Sequence, residues 1–409
     1  MLSRAVSTLF RALVLLGFIG SSGAAFAQEF SRVDFFQGSL VNSGRVVGLG
    51  GAFVSVAEGG DGYLSNPASF ANRLHHHAHE WWDWDFALSS VRFLPEDEMD
   101  LDRSGLPAEY SSSDRVYLGL NFYIERHGFG LFILNQTQSL NQMPNNPSAR
   151  ANYQQNLAGL GYAYSFLDGD LVAGISLMGG SAELYGLDDQ GKPKELADAT
   201  IDEGSGFHYG ILWAPCGHNY RVGASYRTAI LVGEAKLDEA PGRSAENDGV
   251  GTLIPNELYI PWEASFGAST TFGPRTYNPC PSFGAIEERK CKAPADRRYL
   301  LLSADLILTG ATPNGIGMRS FLAGTTQRSG EHISLSPRFG AEAEILNNRL
   351  IVRSGSYYEP SRFSHSSGRM HLTGGVDMRL SLIWDWRIGF SVDTAKNYLN
   401  AGLGLGFWH

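Results

Sequence analysis

Long apolar runs are absent from most of this chain. Past residue 27 no stretch approaches the about 18 consecutive apolar residues that a membrane-spanning helix requires. That excludes a helical membrane protein and leaves an exported soluble protein or a β-barrel. Charge is scarce as well: Lys, Arg, Asp and Glu make up 18% of the residues, and the formal net charge is −10 with no basic stripe. Nucleic acid is therefore not an expected partner. Cysteine is confined to Cys216, Cys280 and Cys291. Cys280 and Cys291 flank a short polar segment and are the expected disulfide, while Cys216 stays free or takes one of them as its partner.

Catalytic machinery is missing too. Gly50 and Gly51 are not followed by a lysine at P-loop spacing. His208 and His371 are candidate bases, but Ser, Asp and Asn are so common around them that no triad stands out. In extended chain His75, His77 and His79 would share one face, with His76 opposite. Nothing else in the sequence marks a closed ligand set, so a solvated periplasmic approach to the first strand is expected there. The chain is read as no enzyme, with no cofactor and no metal.

What is present points to export. Arg4 and Arg11, the apolar run 12–19 and Ala25-Phe26-Ala27 before Gln28 form a cleaved signal peptide over residues 1–27. The 49 glycines and 12% aromatics suit strands with one lipid face and one wet face. The alternation itself begins at residue 80. Trp82, Trp84, Phe86 and Leu88 fall on one face, with Asp83, Asp85, Ala87 and Ser89 on the other. Val116, Leu118, Leu120, Phe122 and Ile124 repeat the pattern against Tyr117, Gly119, Asn121 and Tyr123. Similar segments start at 129, then run 156–166, 171–182, 206–213, 220–228, 261–272 and 299–308, and finally 333–345, 350–358, 370–382, 387–392 and 399–408. The expected fold is all-β: a transmembrane antiparallel barrel of about 14 strands over residues 80–409, preceded by an N-terminal hatch, or plug, over 28–79 that contains short helices.

Short turns at 125–128, 167–170, 215–219, 347–348 and 383–386 alternate with longer polar connections, as periplasmic turns alternate with outer loops. The segment 273–298 is the exception: either a long loop, stapled by Cys280 and Cys291, where a turn belongs, or a further hairpin, with the loop favoured because the segment has no clean alternation. Trp81, Trp82, Trp84, Trp213, Trp384, Trp386, Phe407 and Trp408 gather at the turn ends and read as an interfacial girdle. Within the plug, Asn66 is placed to cap a helical turn that starts at Pro67.

The run Arg45-Val46-Val47-Gly48-Leu49-Gly50-Gly51-Ala52-Phe53, followed by Asn66-Pro67-Ala68, resembles the N-terminal signature of the FadL-type outer-membrane transporters, and more distantly that of PorV-like barrels. The segments 223–228, 350–360 and 397–407 fit the same family in the same order. The resemblance implies an outer-membrane channel for passive uptake of small hydrophobic molecules, of the long-chain fatty acid or aromatic hydrocarbon class, gated by the hatch. Gly48, Gly50, Gly51, Asn66, Pro67 and Ala68 would be gate residues. Arg227 and Arg353 lie in family-like motifs and could hold a substrate headgroup, or pair across the lumen with its acids. The expected partners are outer-membrane lipid and a hydrophobic ligand, and the expected state is a monomer. The outer loop 186–204 is short and charged where the FadL proteins carry a long apolar one, and His409 follows the usual terminal aromatic. The alternative from another class is a PorV-like barrel that serves as a docking component of a secretion or surface-attachment system.

Overall fold

A computed structural model describes residues 32–34, 40, 42–72, 81–93, 100, 103, 110–140, 150–187, 193–194, 200–234, 257–274, 276–278, 298–317, 327–380 and 386–407. The signal-peptide residues, the histidines at 75–79, Cys280, Cys291 and the turn at 383–385 lie outside them.

The alternating segments close into one antiparallel barrel of 14 strands. They are β1 (Trp82–Phe93), β2 (Tyr110–Ile124), β3 (His127–Leu140), β4 (Arg150–Phe166), β5 (Leu171–Leu187), β6 (Thr200–Trp213) and β7 (Tyr220–Arg227). The second half is β8 (Glu263–Phe272), β9 (Leu300–Thr309), β10 (Ser334–Leu346), β11 (Leu350–Glu359), β12 (Arg369–Arg379), β13 (Trp386–Ala395) and β14 (Tyr398–Phe407). Each strand pairs with its sequence neighbour, and β14 closes on β1 with Leu405 opposite Leu88. Closure gives every barrel strand a hydrogen-bonded neighbour on both sides, as a bilayer demands of a β-structure. The segment 273–298 hides no missed hairpin of the wall, because Phe272 of β8 pairs directly with Leu300 of β9.

The pleat divides each strand as the sequence pattern predicts. In β1 Trp84 and Leu88 are exposed, whereas Asp85, Ala87 and Ser89 are buried. Exposed apolar residues continue round the outside, among them Phe122, Leu160, Leu177, Phe266, Phe339 and Leu403. At the short-turn end the aromatics interlock: Trp84 and Phe407 lie 4.8 Å apart edge-on, and Phe86 and Trp386 5.4 Å. Several strands run further toward the loop end than the alternation suggests. β2 starts at Tyr110 rather than 116, and β6 at Thr200 rather than 206. Those extensions, such as Tyr110-Ser111-Ser112-Ser113, lack in sequence the alternation that marks the rest of the strand.

A second sheet, which the periodicity did not announce, sits at the loop-end mouth. Arg32–Asp34 lies parallel to both Glu257–Ile260 and Gly315–Gly317, and Ile230–Glu234 joins antiparallel to Glu257–Ile260. Buried Asp34 fixes it. Its carboxylate takes the Arg362 guanidinium at 2.7 and 3.2 Å and accepts from Thr312 and Ser329, each at 2.7 Å. The chain then turns inward, and residues 42–72 lie inside the barrel.

Candidate functional site

The inward segment begins with the helix α1 (Gly44–Gly48), capped by Ser43, whose Oγ accepts from the Val46 amide. Gly50 and Gly51 then reverse the chain with φ of 60° and 75°, a conformation that a side chain would strain. A Cβ on Gly50 would also lie 2.7 Å from the Phe339 carbonyl oxygen of β10. Further on, Asn66 caps the 3₁₀ turn Pro67–Phe70 by accepting from the Ala68 amide at 3.0 Å. Its Nδ2 donates to Val54 O at 2.8 Å and to Ile211 O of β6 at 3.0 Å. One side chain therefore caps a turn, ties the plug to itself and ties it to the wall.

The plug backbone can approach so closely because the wall presents glycine where it passes. A Cβ at Gly128 of β3 would fall 1.8 Å from Phe70 O, and one at Gly174 of β5 would fall 2.4 Å from Pro67 O. Apolar packing is local. Val46, Leu49, Phe53 and Val56 meet Tyr277, Tyr299 and Leu301, and Tyr63 packs on Phe70 and Phe132 at 4.5 and 4.2 Å.

Charge does the rest of the holding. Asp61, Arg387, Asp377, Arg353, Glu342, Arg45, Glu58 and Arg221 form one buried chain of alternating sign. Arg45, Glu58 and Asp61 come from the plug, and the rest from β7, β10, β11, β12 and β13. Arg45 grips Glu342 through Nε at 3.0 Å and Nη2 at 2.8 Å, and reaches Glu58 at 3.0 Å. Burial pulls the Arg45 pKa down, but Glu342 and Glu58 outweigh it and hold the guanidinium well above its ordinary value. Tyr299 donates to Glu342 at 2.6 Å, and Arg221 donates to Glu58 at 2.8 Å. Arg221 also stacks 3.8 Å from the centroid of Tyr277, and its Nε donates to Asn278. Burial pushes the Tyr277 phenol up to about 12 despite that neighbouring cation.

Tyr277 and Asn278 show how the long segment after β8 is used. Gly217 N donates to Asn278 O at 2.8 Å, and Asn278 Nδ2 donates to Tyr220 O at 2.8 Å. The segment is thus pinned to the β6–β7 turn, where Cys216 is disulfide-bonded. Of the two readings left open for Cys216, free or bridged, the structure has the bridged one; the expected Cys280–Cys291 pair lies outside the described residues.

Near the mouth a second cluster grips the strap between the small sheet and the plug. Arg115 donates to Leu40 O at 3.1 Å, and Leu40 N donates to Tyr357 OH at 3.3 Å. Tyr357 in turn donates to Asp393 at 2.7 Å. His371 bridges Asp393 at 2.8 Å and Glu359 at 2.9 Å and stacks on Tyr357.

Between mouth and plug lies a cavity of about 130 Å³. Gly51, Val54, Leu64 and Ser65 of the plug floor it, and Leu40, Asn42, Ile260 and Pro261 line it from the mouth side. Leu134, Leu157 and Gln155 come from β3 and β4, opposite Arg227, Glu263, Ser265, Ile307 and Arg338 of β7 to β10. One wall is therefore mainly apolar and the other mainly polar. Arg227 meets Glu263 at 3.7 Å, with both side chains part-exposed, a pairing worth no more than about 1 kcal/mol. Of the two headgroup candidates, Arg227 lines the cavity, while Arg353 is engaged by Glu342 and Asp377. Of the gate residues, Gly51 touches the cavity; Asn66, Pro67 and Ala68 sit against β5 and β6. Arg45, Glu58 and Asp61 were not singled out by the sequence reading, although Arg45 opens the quoted glycine-rich run.

No protein-family model matches the chain, and no curated protein does. Solved structures do. The toluene transporter TbuX of Ralstonia pickettii is 14% identical at a TM-score of 0.55, with 90% of this chain and 98% of that chain covered. The toluene transporter TodX of Pseudomonas putida is 13% identical at 0.56, covering 93% and 100%. A FadL homologue of Pseudomonas aeruginosa is 12% identical at 0.55, covering 89% and 97%. At such identities the likeness is one of fold: this chain is built as a plugged 14-stranded barrel of the FadL, TodX and TbuX kind.

Proposed function

We propose that the chain is a passive outer-membrane channel that takes up small hydrophobic molecules as a monomer, with the plug as its gate. The observation that carries this reading is the cavity, held between mouth sheet and plug with an apolar wall at Leu134, Leu157, Val54 and Leu64. A docking platform has no use for such a space, so the cavity speaks for transport over the PorV-like alternative. Local movement is favoured over ejection of the whole plug, because Arg45, Glu58 and Asp61 each pair with a different buried wall residue and would all have to separate together. The moving parts are then the stretches that floor the cavity around Gly51 to Val54 and Leu64 to Ser65. Release sideways suits the neighbouring seam: β6 and β7 pair only from His208–Arg227 to Trp213–Val222, and Arg227 ends that ladder at the cavity.

The test is uptake of radiolabelled toluene and oleate by vesicles with lipopolysaccharide in the outer leaflet, with and without the protein. Protein-dependent uptake of either is the expected result. If neither probe enters faster and neither binds the purified protein, the transport reading is wrong.

A further inference from the structure

We propose that the cavity selects a compact monoanion, an aromatic ring bearing one carboxylate, over a neutral hydrocarbon of the same size. This rests on the transport reading and narrows its substrate class. The polar wall carries two guanidinium groups, Arg227 and Arg338, and one carboxylate, Glu263. Glu263 stands 3.7 Å from Arg227, beyond hydrogen-bond distance. Arg338 has no hydrogen bond or ion pair among the described residues, and Nε of both arginines is buried without a partner. The other acid nearby, Asp305, is opposite Arg338 in the β9–β10 register; it gives Oδ2 to the Val54 amide of the plug at 2.8 Å, and its Oδ1, without a hydrogen bond, does not reach the guanidinium. A guanidinium cannot shed its proton to relieve such a position, so an arriving anion is the group that completes it. The fork geometry of arginine matches a carboxylate in particular.

The rest of the cavity sets the body of the ligand. Leu134 and Leu157 stand across from the arginines, and Val54 and Leu64 lie below. An apolar cavity of about 150 Å³ admits benzene, so about 130 Å³ is on the scale of a single ring, whose carboxylate would turn to the β7–β10 wall. Glu263 sets the charge limit, since a second negative group would meet it.

The test is calorimetric titration of the full-length protein in detergent micelles with benzoate, benzyl alcohol and toluene. Benzoate should bind at least about tenfold more tightly than benzyl alcohol, the discrimination that a charge-assisted hydrogen bond supplies. Arg338→Met should abolish that preference and leave benzyl alcohol within about twofold. Glu263→Gln should tighten benzoate, a gain that misfolding cannot mimic. Equal affinity for benzoate and benzyl alcohol, or parallel loss of all three ligands in Arg338→Met, overturns the proposal. Should toluene bind and benzoate not, this proposal falls and the transport reading stands; should none bind and vesicle uptake be absent, both fall.

Discussion

Glu342→Gln is the sharpest probe of how the plug is held. Glu342 is fully buried and accepts from Arg45 Nε and Nη2, from Arg353 Nε and from Tyr299 OH. The amide keeps the volume, removes the charge and turns one acceptor into a donor that faces guanidinium. Arg45 would retain Glu58, and Arg353 would retain Asp377, so the loss is that of one partner in a network. A buried pair broken on one side costs about 3–5 kcal/mol. At 1.4 kcal/mol per tenfold, the undocked plug should gain about two to three and a half orders of magnitude in population. Limited proteolysis should then cut within residues 44–72 while the barrel stays intact on unheated gels. Single-channel recording in planar bilayers should show intermittent openings that the unaltered protein lacks. A double-mutant cycle with Arg45→Met should give strong coupling, because the second change removes the cation that the first leaves exposed to a dipole. If Glu342→Gln resists protease and conducts like the unaltered protein, the ion-pair chain is not what holds the plug.

Three further outcomes are expected. Gly174→Ala, whose Cβ would lie 2.4 Å from Pro67 O, should unseat the 3₁₀ turn and raise protease sensitivity, whereas Gly179→Ala, with 3.8 Å to its nearest neighbour, should be silent in the same digest. The outward-facing pair Tyr209 and Tyr226, opposite each other across β6 and β7, can be replaced by cysteines at a separation that suits a disulfide. Oxidation of that pair should block vesicle uptake but spare ligand binding, and undiminished uptake would rule out release at this seam. Peptide mapping without reduction should recover Cys216 joined to a second cysteine of the chain; a free thiol at Cys216 would contradict the bridge.

The wall was legible because lipid imposes a pattern on every strand. Trp84, Phe86 and Leu88 had to face out, and their neighbours in sequence had to face in. The cap at Asn66 was legible for a similar reason, since Asn before Pro at the first helical position is a local signal. The mouth sheet left no such trace. Arg32–Asp34 and Gly315–Gly317 have three residues each, too few for a period of two to register. Arg353 was legible as lumen-facing, with pairing to a lumen acid as one of its two readings, but its partner was not, because Glu342 on the neighbouring strand is one of several lumen acids. Arg45 meets Glu342 across 297 positions of sequence, a distance at which no local rule operates.

The same physics accounts for why charge, rather than an apolar core, fixes this plug. A strand that spends alternate residues on lipid has only the remaining half for the interior, and in a lumen open to water those residues are polar. Once a plug fills the turn end, Arg221, Glu342, Arg353, Asp377 and Arg387 are cut off from solvent and need partners within the protein. They satisfy one another in part, and the alternating chain needs Arg45, Glu58 and Asp61 to complete it. The plug is thus the counter-charge of the wall, and removing it would leave Arg221 and Arg387 each short of a carboxylate. At the cavity above, the plug supplies no further counter-charge. Arg338 and Arg227 lie where the plug offers Gly51, Val54 and Leu64 and no acid, so the space above the plug is where a ligand's charge finds its match.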